Sequence, residues 1–326
     1  MKTRLILTSG DIDGIGLEVA IKALQQWHRP RSTQVLILCS SRTPLAHLRW
    51  AESQLQKQGR LRKVVGLQSA LSNWREDFIL MCAESPPALW VEWGARECLA
   101  LRAQALVTGP LSKPSIQAAG LKDLGHTDIL QRLCRTGPVH MGFVGEHFAV
   151  VLATGHLPLK FAEAALTPAL HWRAILHADW LRQQLPRRRS QRPLGLLGMN
   201  PHCGDQGLIG KFDMRRFPTI LTKSQKHQLH CVGPLVPDVA FQAVQWKQHS
   251  VYVACYHDQG LIPFKMAHGF DGVHLTLGLP IVRTSVDHGT AQDIFGQNKA
   301  NPASMLAALQ WGQRLTSQKQ KGPAHV

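Results

Sequence analysis

Three histidines stand directly after three strand-like apolar runs, and that shared position is the first sign of chemistry. Phe148–Ala153 runs into Thr154-Gly155-His156, Leu194–Met199 into Asn200-Pro201-His202, and Val251–Tyr256 into His257-Asp258. Ligands of open α/β sheets bind just beyond the carboxyl ends of the strands. Neutral imidazoles meeting from three strand ends would hold a catalytic divalent metal and leave positions open for a substrate. Asp205 and Asp258 lie beside two of the three, placed either to fix the ring tautomers or to hold the substrate. The chain has 17 histidines, so each alone is weak evidence, and spacing does not by itself bring the three together.

A second constellation is Thr108-Gly109-Pro110-Leu111-Ser112-Lys113, followed by Gly125-His126-Thr127. Small residues before a helix start, with a lysine nearby, make an anion cradle. The plainer alternative is a capped turn, because the G-x-x-x-x-G-K-[ST] pattern is absent. The first loop, Ser9–Gly16, is not a dinucleotide fingerprint either: Val19 occupies the position of the third glycine.

These loops need a scaffold, and strand-like runs alternate with helical patterns along nearly the whole chain. That alternation predicts an α/β protein with a largely parallel sheet. The expected strands are Arg4–Thr8, Val35–Cys39, Ile79–Cys82, Ala105–Thr108, Phe148–Ala153, Leu194–Met199, Val251–Tyr256 and Val273–Leu277. The expected helices include Leu17–Trp27, Arg96–Ala103, Thr167–Gln184 and Pro302–Thr316, the last with Asn301 as N-cap and Pro302 at its first helical position. The tail, SQKQKGPAHV, is expected to be disordered. No repeat or low-complexity tract is present.

Composition narrows the function classes. The 326 residues are 44% hydrophobic, enough for about two domains of roughly 150 residues each, and no apolar run reaches the ~18 residues of a membrane helix. The opening MKTRLILTSGD reads as a first strand rather than a secretion signal. Seven scattered cysteines without a C-x-x-C pair argue against a disulfide framework and for a reducing compartment, the cytoplasm. The net charge of +16 attracts anions, whether nucleic acid, an acidic membrane face or phosphorylated substrates. Its densest cluster, Arg187-Arg188-Arg189, has no interleaved aromatic residues to stack bases, so a solvated loop is favoured over a nucleic-acid interface.

With these residues in view, the chain resembles the 4-hydroxythreonine-4-phosphate dehydrogenase family of vitamin B6 biosynthesis, from Thr8 to about Leu309. The motifs are LVTGPLSK, GHTD, ATGHLPL, GMNPHCGDQG, GPLVPD and, most specific, the run from Tyr256 to Ala291. The resemblance implies that His156, His202 and His257 ligate one divalent metal, whether zinc, magnesium, manganese or cobalt. It carries substrate binding onto His126, Thr127, Lys265, His274 and Arg283, and places Asp238 and Asp258 beside the substrate, with Asp258, Lys265 and Asp238 as the catalytic candidates. Asp287–Ile294 also looks like the adenine-side loop of isocitrate and isopropylmalate dehydrogenases, which assigns NAD, or NADP, to His288, Gly289, Thr290, Ala291 and Asp293. The implied fold is a related two-domain α/β/α architecture with a cleft between the domains. Residues 1–125 with 285–326 would form the first domain, and 126–284 the second, carrying the metal histidines and the interface of a homodimer whose two subunits share each site.

The match departs from the family in two places. The opening loop has Ile12 and Asp13 for Pro-Ala and Leu17 for a second Pro, and His274 stands where the family has Asn. The resulting expectation is metal-dependent, NAD-linked oxidation of 4-phosphohydroxy-L-threonine to a 3-oxo acid that loses CO2. The same chemistry on a 4-phosphorylated threonate or erythronate, or a dihydrodiol, is the nearest alternative. A nucleic-acid-binding protein would leave the three histidine loops without purpose, and a metal phosphohydrolase would leave Asp287–Ile294 without one.

Overall fold

The computed structural model describes residues 2–66 and 74–317; residues 318–326 of the tail lie outside them. Internal contacts divide the chain into two units, one running to Val139 and resuming at Leu279, the other spanning His140–Gly278.

In the first unit the described strands are β1 (Thr3–Thr8), β2 (Thr33–Ser40), β3 (Leu61–Val65), β4 (Phe78–Ala83), β5 (Ala105–Thr108) and, from the chain's return, β12 (Val282–Val286). They lie in the order β3-β4-β2-β1-β5-β12, all parallel. Parallel strands buried on both faces read as continuous apolar runs. Accordingly β2 is buried at every residue. Ile6, Leu36, Ile79, Met81 and Leu106 pack with Trp90, Val91 and Ala95 of the helix Pro87–Leu99, each large apolar side chain contributing about 1.5–3 kcal/mol.

The second unit has β6 (His140–Val144), β7 (Ala149–Leu152), β8 (Leu194–Leu197), β9 (Cys231–Leu235), β10 (Tyr252–Ala254) and β11 (Val273–Leu277). Their order is β11-β6-β7-β10-β8-β9, with β6 antiparallel to both neighbours and the rest parallel. Phe143, Phe148, Val150, Leu152, Tyr252 and Phe264 fill this core.

The eight expected strands are all present, within a residue or two at their ends. The mixed sheet of the second unit departs from the expected parallel one because the short β6–β7 hairpin contributes its antiparallel strand. The helix expected over Arg96–Ala103 instead runs Pro87–Leu99, since Pro86 and Pro87 can start a helix and its apolar face begins there. The last helix, Ala303–Ser317, is capped as expected by Asn301, whose Oδ1 accepts from the Ala303 amide at 2.9 Å. The arginine run is not a loop: Arg187–Ser190 forms a helical turn, and Arg189 donates to the Gly145 carbonyl at 2.9 Å.

The units divide at Val139/His140 and Gly278/Leu279, not at 125/126 and 284/285. Packing explains the shift. Ile129 and Leu130 of the helix His126–Cys134 join the Trp90 core, and β12 pairs with β5, Arg283 opposite Leu106. His126, Thr127 and Arg283 therefore belong to the first unit.

Candidate active site

In the second unit, β7 and β10 are parallel neighbours, so the residues that follow them leave the same edge of the sheet. The Thr154 hydroxyl donates to the Cys255 carbonyl at 2.8 Å, tying the two strand ends together. His156 and His257 are thereby brought face to face, with ring centroids 4.9 Å apart and planes inclined by 43°. His257 is the first residue of the helix His257–His268, and its Nδ1 lies 2.7 Å from Asp258 Oδ1. A carboxylate on Nδ1 fixes the tautomer that leaves Nε2 as a metal donor.

Gln259 is a bracing residue that no motif pointed to. Its Oε1 accepts from the Cys255 amide at 2.7 Å and its Nε2 donates to the Gly198 carbonyl at 2.6 Å, joining the ends of β10 and β8. Beyond β8, residues 202–206 all have positive φ, from 42° to 81°, forming a left-handed turn that presents an exposed His202. Asp213, almost fully buried, accepts from the Met199 amide (2.6 Å), the Asn200 amide (3.1 Å) and Asn200 Nδ2 (2.9 Å), and so anchors this turn.

One chain thus pairs His156 with His257. His202 is not brought to them, and among the described residues no three His, Cys, Asp or Glu side chains converge to hold a metal. Asp205 is exposed beside His202. Asp238, in the short helix Pro237–Ala240, and Lys265, one turn before the end of the His257 helix, are exposed. His274 sits on β11 opposite Phe143 and stacks on its ring at 4.8 Å and 16°, which fixes the imidazole plane.

The first unit buries an arginine and a histidine near each other. Arg283, only 3% exposed, donates from Nη2 to Thr108 Oγ1 at 2.7 Å, and burial pulls its guanidinium down to about 9. His126 opens the helix His126–Cys134, followed by Thr127; burial and then the charge of Arg283 hold its imidazole well below the usual range, so it is neutral. His126 Nε2 is buried and has no hydrogen-bond partner among the described residues. A buried cation beside an unpartnered ring nitrogen at a helix N-terminus suits a phosphate or carboxylate.

The Gly109–Lys113 segment, by contrast, is a capped turn. The Ser112 hydroxyl accepts from the Ser115 amide, and the Ser112 amide is taken by the buried Asp11 carboxylate. Gly10, at φ 80°, leaves no room for a side chain: a Cβ there would lie 1.9 Å from the Pro110 carbonyl oxygen.

The expected cofactor segment folds against the first loop. The Ile15 amide donates to the Thr290 carbonyl at 3.0 Å, and Gln292 Nε2 donates to Asp13 at 2.8 Å. His288 Nδ1 lies 2.9 Å from the Gly289 carbonyl, Ala291 is left-handed, and Asp293 lies in the short turn Gln292–Ile294. Next to this segment a cavity is walled by Ile12, His47, Trp50, Phe295 and Asn298. Its lining is mainly apolar by area, and none of the five assigned cofactor residues belongs to it.

Residues 88–312 match the family model described as pyridoxal phosphate biosynthetic protein PdxA. The chain belongs to the PdxA family. Membership makes it an oxidoreductase of pyridoxine biosynthesis acting on a CH–OH group. This PdxA protein is 34% identical over 340 aligned positions to a 4-hydroxythreonine-4-phosphate dehydrogenase of Thermosynechococcus vestitus, with 96% of each chain covered. The crystal structure of such a dehydrogenase from Klebsiella pneumoniae superposes at TM-score 0.75 and 26% identity, covering 97% of this chain and 98% of that one. A terephthalate 1,2-cis-dihydrodiol dehydrogenase from Burkholderia xenovorans gives 0.62 and 25%, covering 97% and 98%. A β-decarboxylating dehydrogenase from Thermococcus kodakarensis, at 12% identity and 0.51, covering 96% and 83%, shares the fold alone.

Proposed function

We propose that this PdxA protein oxidises 4-phosphohydroxy-L-threonine with NAD, or NADP, to the 3-oxo acid, which decarboxylates to 3-amino-2-oxopropyl phosphate. The observation that carries the reading is the His156–His257 pair with the Asp258 carboxylate on His257 Nδ1. These two rings, completed by His202, would hold the metal. When bound, a divalent ion lowers the pKa of the substrate hydroxyl, and the nicotinamide accepts hydride.

The chain's own residues do the rest. Arg283 grips an anionic end of the substrate, and His126 and Thr127 orient it, so the reacting carbon is held still. Asp238 borders the substrate. Asp258 is already engaged with His257, which favours Lys265 as acceptor of the hydroxyl proton. Once the 3-oxo acid exists, its C–C bond to the carboxylate breaks, CO2 leaves, and the electron pair enters the carbonyl as an enolate that is then protonated. His288, Gly289, Thr290, Ala291 and Asp293 would hold the adenine side of the cofactor.

Since one chain pairs only two of the three histidines, the active unit is proposed to be a homodimer with each site shared between subunits. Ile262 and Met266, one turn apart on the His257 helix, and Phe270 beyond its end leave large apolar side chains exposed on the second unit, as a dimer interface needs. No helix among the described residues is long and apolar enough to cross a membrane. With seven free cysteines, the cytoplasm is the compartment proposed.

His274 favours a second reading in which the substrate differs: a 4-phosphorylated threonate or erythronate, or a dihydrodiol. A panel of these compounds and phosphohydroxythreonine, run on the wild type and His274→Asn, separates the readings. Phosphohydroxythreonine should give the highest kcat/KM with the wild type. A higher value for another member, reversed by His274→Asn, would transfer the assignment to that substrate.

A further inference from the structure

Away from every residue assigned to the dehydrogenase chemistry, two thiols face each other on adjacent strands of the first unit. Cys39 of β2 and Cys82 of β4 are register partners in a parallel pair, and their Sγ atoms lie 3.7 Å apart. Neighbouring strands run about 4.7–4.9 Å apart. That spacing falls inside the roughly 4.4–6.8 Å Cα range of disulfides, so side-chain rotation alone would close the gap to about 2.05 Å. The two sulfurs are not equivalent. Cys39 is fully buried, and Cys82 is half-buried. Lys63 of β3 and Glu52 of the helix Leu45–Gln56 stand by them, joined at 2.6 Å.

We propose that Cys39 and Cys82 form a peroxide-reactive dithiol, with Cys82 as the attacking thiolate and Cys39 as the resolving thiol. The Cys82 sulfur displaces hydroxide from a hydroperoxide, giving a sulfenic acid. Cys39 then attacks that sulfur, the S–S bond forms and water leaves. The net change is two thiols and one hydrogen peroxide giving one disulfide and two waters, with both electrons supplied by the sulfurs. Electrostatics divide the roles in the same sense. The hydrogen bond with Cys39, helped by Lys63, lowers Cys82 to about 7, and the same bond together with burial raises Cys39. Cys82 therefore carries more thiolate at neutral pH than an ordinary thiol.

Tryptic digestion places the two cysteines in separate peptides, 32–42 and 76–96, each with no other cysteine. The folded wild-type protein is treated with hydrogen peroxide, blocked with iodoacetamide and digested. The expected product is the two peptides linked, lighter by two hydrogens and separable by a reductant. In Cys39→Ser a cyclic diketone should capture the sulfenic acid on Cys82, and in Cys82→Ser the buried Cys39 should stay reduced. Without oxidant, Cys82 should alkylate faster than Cys231, whose thiol is pushed up by burial. An oxidised protein in which 32–42 and 76–96 stay unlinked, or in which Cys82 alkylates no faster than Cys231, would overturn the proposal; the wild-type readings require no variant to fold.

Discussion

Arg283 carries two opposite consequences, one for the empty protein and one for the substrate complex. Burying a guanidinium costs free energy that an anion recovers on binding. Arg283→Met should therefore leave the melting temperature unchanged or raise it, while kcat/KM falls by roughly 10- to 100-fold, the loss of about 1.5–3 kcal/mol of charge-assisted hydrogen bonding. Steady-state kinetics beside a thermal melt checks both signs. Asp258 acts through its neighbour. Asp258→Asn should weaken metal binding by about 10- to 100-fold by loosening the His257 tautomer. A competitive metal titration reads that loss, and saturating metal should restore much of the rate. The placement of His156 and His257 just beyond two neighbouring strands was legible in the sequence, because an apolar run followed by a polar turn marks it. Gln259 and Asp213 were not, because a bracing side chain announces itself only through the backbone groups it reaches.

The element that presents His202 is held under strain. Left-handed backbone costs a non-glycine residue about 1–2 kcal/mol, and four such residues, His202, Cys203, Asp205 and Gln206, share this turn. It persists because the buried Asp213 carboxylate collects three N–H groups at its start. Asp213→Ala should cost at least about 2 kcal/mol of stability and unprotect the Met199 and Asn200 amides. Hydrogen exchange on the second unit reads this directly, with the β1–β2 amides of the first unit as the unchanged reference. At this scale the sequence was a partial guide. Fully buried apolar strands such as β2 and β5 stood out. β3 was hidden by Arg62 and Lys63 at the sheet edge, β9 by Gly233 and Pro234, and the helix Phe212–Lys226 by its internal Pro218. The boundary near residue 125 was misjudged because Gly125 reads as a break, whereas the helix after it completes the first unit's core.

Across the whole molecule, buried histidines set the response to acid. His140 and His177 face each other with Nδ1 atoms 2.8 Å apart, and His171 has no hydrogen-bond partner on either ring nitrogen. Burial holds them at about 3 for His140 and His171 and about 4 for His177. In the unfolded chain they protonate near 6.5, so below that pH the unfolded state binds protons that the folded state refuses. Stability is then full above about 6.5 and is lost as pH falls toward 4 and 3, by up to about 1.4 kcal/mol per pH unit for each histidine. Urea unfolding from pH 7 to 4.5 should show this slope, and His171→Leu should reduce it. The α/β class and the alternation of elements were legible at this scale, since period and apolar runs report them. Which strands would turn antiparallel was not, because the β6–β7 hairpin leaves only a short signal. Metal-dependent oxidative decarboxylation can be followed in a single assay. Protein stripped of metal and then resupplied is given 4-phosphohydroxy-L-threonine and NAD, and reduced cofactor and CO2 are counted together. No turnover is expected when stripped, with recovery on adding a divalent metal and one CO2 for each reduced cofactor. Full turnover without metal, or no cofactor reduction from this substrate with any metal, would contradict it.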